Sequence, residues 1–136
     1  MNARLQDLSV FFAAGALGGC AETLTVWIAG VAGIPRALGV DMAPALSSAW
    51  IYSAVAWGGL WGALFFIPFQ SRRYLLRGLL FSLAPTAVQL LVVFPLLSNQ
   101  GPLGTHLGAL TPLLVLIYDA VWGVTASAWL RHIHDR

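Results

Sequence analysis

The sequence has no lysine, one cysteine and few charges of any kind: of 136 residues 9% are charged while 59% are hydrophobic. A water-soluble domain draws about 25% of its residues from the charged types, so a soluble fold of this size could not cover its own surface. The surrounding solvent is therefore lipid. With Cys20 alone no intramolecular disulfide can form, and this thiol, set in an apolar stretch, reads as a small buried hydrophobe. The basic residues are all Arg, and their net excess of +2 is too small and too scattered for the concentrated basic stripe that nucleic acid requires. Nucleic acid is excluded as a partner.

Chemistry-bearing patterns are also missing. No His falls inside an apolar run, so a haem held within the membrane lacks its axial ligands, and only His106 and His132 approach a boundary. His132 and His134 are two apart, so they do not share a helix face, and no Cys or carboxylate cluster completes a metal site. No nucleophile–base constellation and no phosphate-cradling loop can be assembled. The expectation is a protein without catalytic residues, cofactor or metal.

What is present is apolar length. Residues 10–32, 46–69, 78–97 and 107–130 each meet the requirement of about 20 mainly apolar residues for a membrane helix, and none alternates as a barrel strand would. The predicted fold is all-α: one membrane domain spanning 1–136, a polytopic bundle of four transmembrane helices joined by short loops. Leu17-Gly18-Gly19-Cys20 has the form of a lipoprotein cleavage site, but the apolar run continues past the cysteine to Ile34, which points to a span rather than a leader.

Arg4, Arg72, Arg73, Arg77, Arg131 and Arg136 fall on one side of a four-span chain and only Arg36 on the other. By the positive-inside rule both termini and the middle loop are cytoplasmic, in the inner membrane of a bacterium. Trp27 and Trp50 then lie toward the outer boundary, Tyr74 and Trp129 toward the inner one. Small residues recur at spacing four, in Gly15/Gly19, Gly58/Gly62 and Ala14/Gly18, where helix backbones can approach closely. Four short helices bury little, so besides lipid the expected partners are further copies of this chain or other membrane subunits. Pro85 should kink the third span.

The costly residues are Glu22 and Asp119, each near the centre of its span, where an ionised side chain costs at least about 2.5 kcal/mol. No Arg shares their depth, so both are expected to be neutral unless they share a proton or meet water or an ion. Two uses are open to them: a proton or cation relay, or neutral glue between helices. Gln89 and Ser53 are the expected polar partners on either reading. Trp57 and Trp61, one turn apart, and Trp122 at similar depth are candidates for lining a cavity, or for packing with the indole N–H bonded to a neighbour.

An internal match joins the halves. Ile51-Tyr52-Ser53-Ala54-Val55 parallels Ile117-Tyr118-Asp119-Ala120-Val121, each followed, allowing one gap, by Trp-Gly, and a similar offset sets Glu22 on Gln89. Two parallel two-helix repeats would be related by an axis along the membrane normal. The absence of chemistry and the small-residue faces predict a non-catalytic accessory or assembly subunit of a larger membrane complex. The alternative is a small homo-oligomeric proton-linked or cation transporter or channel using Glu22 and Asp119. A cavity reaching the two acids would favour the second, and acids sealed between helices the first.

Overall fold

The computed structural model describes residues 2–68 and 72–134. Among them there is no strand. The chain forms α1 (Ala3–Ala32), a short α2 (Ile34–Ala37), α3 (Ser48–Trp61) prolonged by a 3-10 segment (Gly62–Phe66), α4 (Tyr74–Val88) prolonged by a π-helical stretch (Gln89–Leu97), a 3-10 turn (Pro102–Gly104) and α5 (Thr111–His134). Four rods, Ala3–Ala32, Ser48–Phe66, Tyr74–Leu97 and Thr111–Ile133, are long and apolar enough to cross a bilayer. The chain is a multi-pass membrane protein. Helices are the form such segments must take, because lipid offers no partner to an open backbone. Large apolar side chains such as Ile28, Val31, Leu91 and Leu96 stand outward, as a lipid-facing surface requires.

The ends differ from the sequence expectation for local reasons. α1 starts at Ala3 rather than residue 10, because Asn2 caps it by accepting the Arg4 N–H at 3.0 Å. Its 30 residues run about 45 Å, against a hydrocarbon core of about 30 Å. Hydropathy marks the embedded part of a helix, whereas the helix itself runs on. Gly33, at φ 81°, stops α1 by donating its N–H back to Ala29 and Gly30. α3 starts at Ser48, behind the Ser47 cap that accepts from the Trp50 N–H at 3.1 Å. Its rod is described to Phe66, and positions 69–71 of the expected span and loop lie outside the described residues. α4 begins at Tyr74, four residues early, because Arg77 turns inward rather than ending in solvent. α5 begins only at Thr111: Gly108 takes φ 154° and lies on the Gly39 backbone, which holds 107–110 as a turn despite its apolar residues.

The four rods stand in the order α3, α1, α5, α4. Each joint rests on glycine. A Cβ on Gly15 would strike the Gly58 carbonyl oxygen, and one on Gly62 would strike the Phe11 carbonyl, so α1 and α3 touch backbone to backbone. Gly78 and Gly123 do the same for α4 and α5. Between α1 and α5, Gly18 makes room for Trp122, whose indole Nε1–H reaches Gly15 O at 3.0 Å and Gly58 O at 3.3 Å, joining three helices.

The end rods α3 and α4 do not pack along their length, which makes the row a C rather than a closed bundle. Among the described residues their side-chain ties lie beside their connection. There Arg77 Nη2 donates to Phe65 O at 2.6 Å and Ile67 O at 3.3 Å, and the Phe65 ring meets Phe81 edge to face at 5.1 Å. An arginine capping the last carbonyls of a helix is favourable, and here it belongs to the neighbouring helix. At the opposite end the two loops meet, Asp41 N–H donating to Leu107 O at 2.8 Å.

Candidate functional site

The opening of the C is a cleft of about 850 Å³. α1 and α5 form its floor and bring Glu22 and Asp119 to it; α3 supplies one wall with Ser53, Trp57 and Trp61, and the α4 rod the other with Pro85, Gln89 and Val92. The cleft continues to Asp41, Met42 and Pro44, in the loop after α2. It thus runs from mid-span to one end of the molecule and is open along the unpacked α3/α4 side.

Glu22 and Asp119, 97 positions apart in sequence, are brought together as neighbouring side chains lining one cleft. Asp119 is 3% exposed, so this contact is made within the protein. Two adjoining carboxylates would repel each other, and a proton held between them would turn that repulsion into a hydrogen bond. A third group reads the pair. Thr86 Oγ1 lies 2.8 Å from Asp119 Oδ2 and 2.8 Å from the Ser82 carbonyl oxygen. It has one proton to donate. When it donates to Ser82 O it can accept from a protonated Asp119, and when Asp119 is ionised the hydroxyl can turn and donate to it.

Two prolines make the α4 wall irregular. Pro85 contributes no N–H, and four residues later the rod changes to π pitch at Gln89, in a stretch that itself contains Pro95. π segments are rare and concentrate at functional sites. Here the segment supplies Gln89, Val92, Val93, Phe94 and Leu97 to the cleft.

The residues singled out from sequence fall together in part. Glu22, Asp119, Gln89, Ser53, Trp57, Trp61 and Trp122 all line this one cleft. The acids adjoin each other and Asp119 also bonds Thr86, while Gln89 and Ser53 line the walls without bonding either carboxyl. Trp122 is the packed indole, 2% exposed and bonded; Trp57 is 62% exposed. Thr86 and Tyr118 escaped the sequence reading. A hydroxyl beside a mid-span proline and a Tyr adjoining Asp119 were the available signals. The Tyr118 hydroxyl is buried with no hydrogen-bond partner and its side chain lines the cleft. Among the described residues no group of three His, Cys, Asp or Glu could hold a metal.

No family model, curated protein or solved structure matches the chain.

Proposed function

We propose that this chain is a small proton-linked membrane transporter in which Glu22 and Asp119 together carry the proton. One observation carries the reading: the two mid-span acids meet each other on the floor of a cleft that runs to one end of the molecule. Acids used only as glue have no need of such an approach, and intramembrane acids facing a cavity mark ion and proton paths. In a bacterial inner membrane, with termini and middle loop cytoplasmic as the Arg distribution favours, the cleft opens toward the outside. The Arg77–Phe65–Phe81 tie closes its cytoplasmic end. Alternating access then requires that tie to loosen while the loop end, at Asp41 and Leu107, narrows.

The test is flux. Purified protein in liposomes carrying a pH-sensitive dye inside should conduct a pH-driven proton flux, supplied with a panel of candidate co-substrates. Glu22→Gln and Asp119→Asn should abolish it while each variant remains folded and monodisperse, because the amides keep size and hydrogen bonding. Flux that survives in both amide variants contradicts the reading.

A second reading, the accessory subunit, is favoured by the unpacked α3/α4 side, which a helix of another protein could fill. Mild-detergent purification and mass spectrometry separate the two. A stoichiometric partner supports the accessory role, and a chain that purifies alone or with its own copies supports the transporter.

A further inference from the structure

A cleft with this floor and these walls selects its occupant. Its polar groups are at the bottom and its walls are apolar and aromatic, with Trp57 and Trp61 one helical turn apart on α3. The titratable groups that line it are Glu22 on α1, Asp41 in the loop at its mouth, and Tyr118 and Asp119 on α5; α3 and the α4 rod contribute none, and no Arg or His lines it among the described residues. Every ionisable carboxyl lining the cleft is therefore uncompensated by a protein cation. A carboxyl pair that shares one proton carries a single negative charge, and a bound monocation would neutralise it.

We propose that the cleft binds a lipophilic organic monocation, an amine, quaternary ammonium or phosphonium, which reaches it from the bilayer through the unpacked side between α3 and α4. The proposal deepens the transporter reading and rests on it for the role of Glu22 and Asp119. Three independent features support the class of ligand. The charge at the base of the cleft calls for a cation, while the indole faces suit one that is poorly hydrated. The hydroxyl of Tyr118, a residue 5% exposed, is buried without a partner among the described residues and has bonding capacity left for an amine or for a water bound with the ligand. A hard metal cation is bound mainly through several carboxylates and carbonyl oxygens, and among the described residues no group of three His, Cys, Asp or Glu gathers to hold one. The exchange balances in charge: the doubly protonated pair is neutral, and the pair with one proton and one bound monocation is neutral as well. One cation thus displaces one proton.

Tetraphenylphosphonium is the probe, with triphenylphosphine oxide as its uncharged counterpart, titrated by calorimetry against the protein in nanodiscs with empty nanodiscs as reference. Saturable binding of tetraphenylphosphonium but not of the oxide is expected, with affinity falling as the medium is acidified. Asp119→Asn should weaken it by about tenfold or more, and Trp57→Ala, which alters an exposed side chain and leaves the core intact, by about fivefold. Tyr118→Phe should leave tetraphenylphosphonium binding unchanged, since that ion donates no hydrogen bond, while weakening binding of a primary amine such as phenethylamine, whose ammonium can donate to the Tyr118 oxygen. Equal binding of cation and oxide, or affinities untouched by both Asp119→Asn and Trp57→Ala, overturns the proposal. Proton flux that needs both acids, in a protein that binds neither cation, overturns the ligand class and leaves the transporter reading standing. Saturable cation binding without any proton flux supports the ligand class and removes the transporter reading.

Discussion

Thr86 has one proton and two acceptors, and this makes it the informative side chain beside the acid pair. Its Oγ1 is 2.8 Å from both Ser82 O and Asp119 Oδ2, so its orientation must track the protonation of Asp119. At 6% exposure it is buried away from bulk solvent. Hydrogen bonds between membrane helices are worth about 0.6 kcal/mol on average and up to about 1.7 kcal/mol. Thr86→Val, which keeps the shape and removes the hydroxyl, should cost stability in that range in a detergent unfolding titration, and Thr86→Ser should restore it. The proton-flux rate should fall in Thr86→Val as well, since Asp119 loses the partner that adapts to both of its states. A valine variant equal to wild type in both measurements would leave Thr86 no role at the site.

The helices meet through glycine, and two substitutions separate close approach from backbone conformation. Gly15 sits where α1 and α3 touch, so Gly15→Ala drives a Cβ into the Gly58 carbonyl and must push the helices apart. Overpacking of that kind costs about 1–3 kcal/mol and sometimes more. Gly33 has nothing within 4 Å of its would-be Cβ but takes φ 81°, so Gly33→Ala meets only the left-handed penalty of about 1–2 kcal/mol. Thermal midpoints should fall in both, and only Gly15→Ala should also weaken tetraphenylphosphonium binding, because α3 carries a wall of the cleft. The existence and approximate position of the four rods were legible in the sequence because apolar length is a direct requirement of the bilayer. The Gly15/Gly19 and Gly58/Gly62 spacing was legible for the same kind of reason: helical period four puts both glycines on one face, and those faces do meet. Gly78 against Gly123 was not, since each is a single glycine without a partner at that spacing. The π stretch after Pro85 was also hidden, because a change of pitch leaves no composition signature; a simple kink was the expectation. Arg77 was read as a loop residue since charge usually ends a span, yet its Nη2 donates to two carbonyls at the end of the α3 rod, while its buried Nε has no partner. That Glu22 and Asp119 should meet could not be read at all. Depth along a span is visible in sequence, whereas rotation about the helix axis against a partner is not.

At the scale of the molecule, four rods in a C place the acids on the inner pair, α1 and α5, and leave the outer pair, α3 and α4, as walls. The internal repeat proposed from sequence would relate α1 to α4 and α3 to α5. Within each half the helices pack closely, α1 on α3 and α4 on α5, while between the halves α1 packs on α5 and the cleft parts α3 from α4. Orientation across the bilayer has its own check. On a Cys20→Ser background, Arg73→Cys should react with an impermeant maleimide only when the cytoplasmic face is exposed, and Ser98→Cys only from outside; the reverse pattern would turn the cleft toward the cytoplasm. The central claim is that one pair of mid-membrane carboxyls exchanges a proton with water through this cleft, and infrared difference spectroscopy between acid and alkaline buffer, on protein in nanodiscs, tests it most directly. The account predicts a reversible protonated-carboxyl stretch that is lost or shifted in Glu22→Gln and in Asp119→Asn alike, since each acid titrates as half of a pair. A spectrum with no titrating carboxyl, or one that either amide variant leaves unchanged, would contradict it.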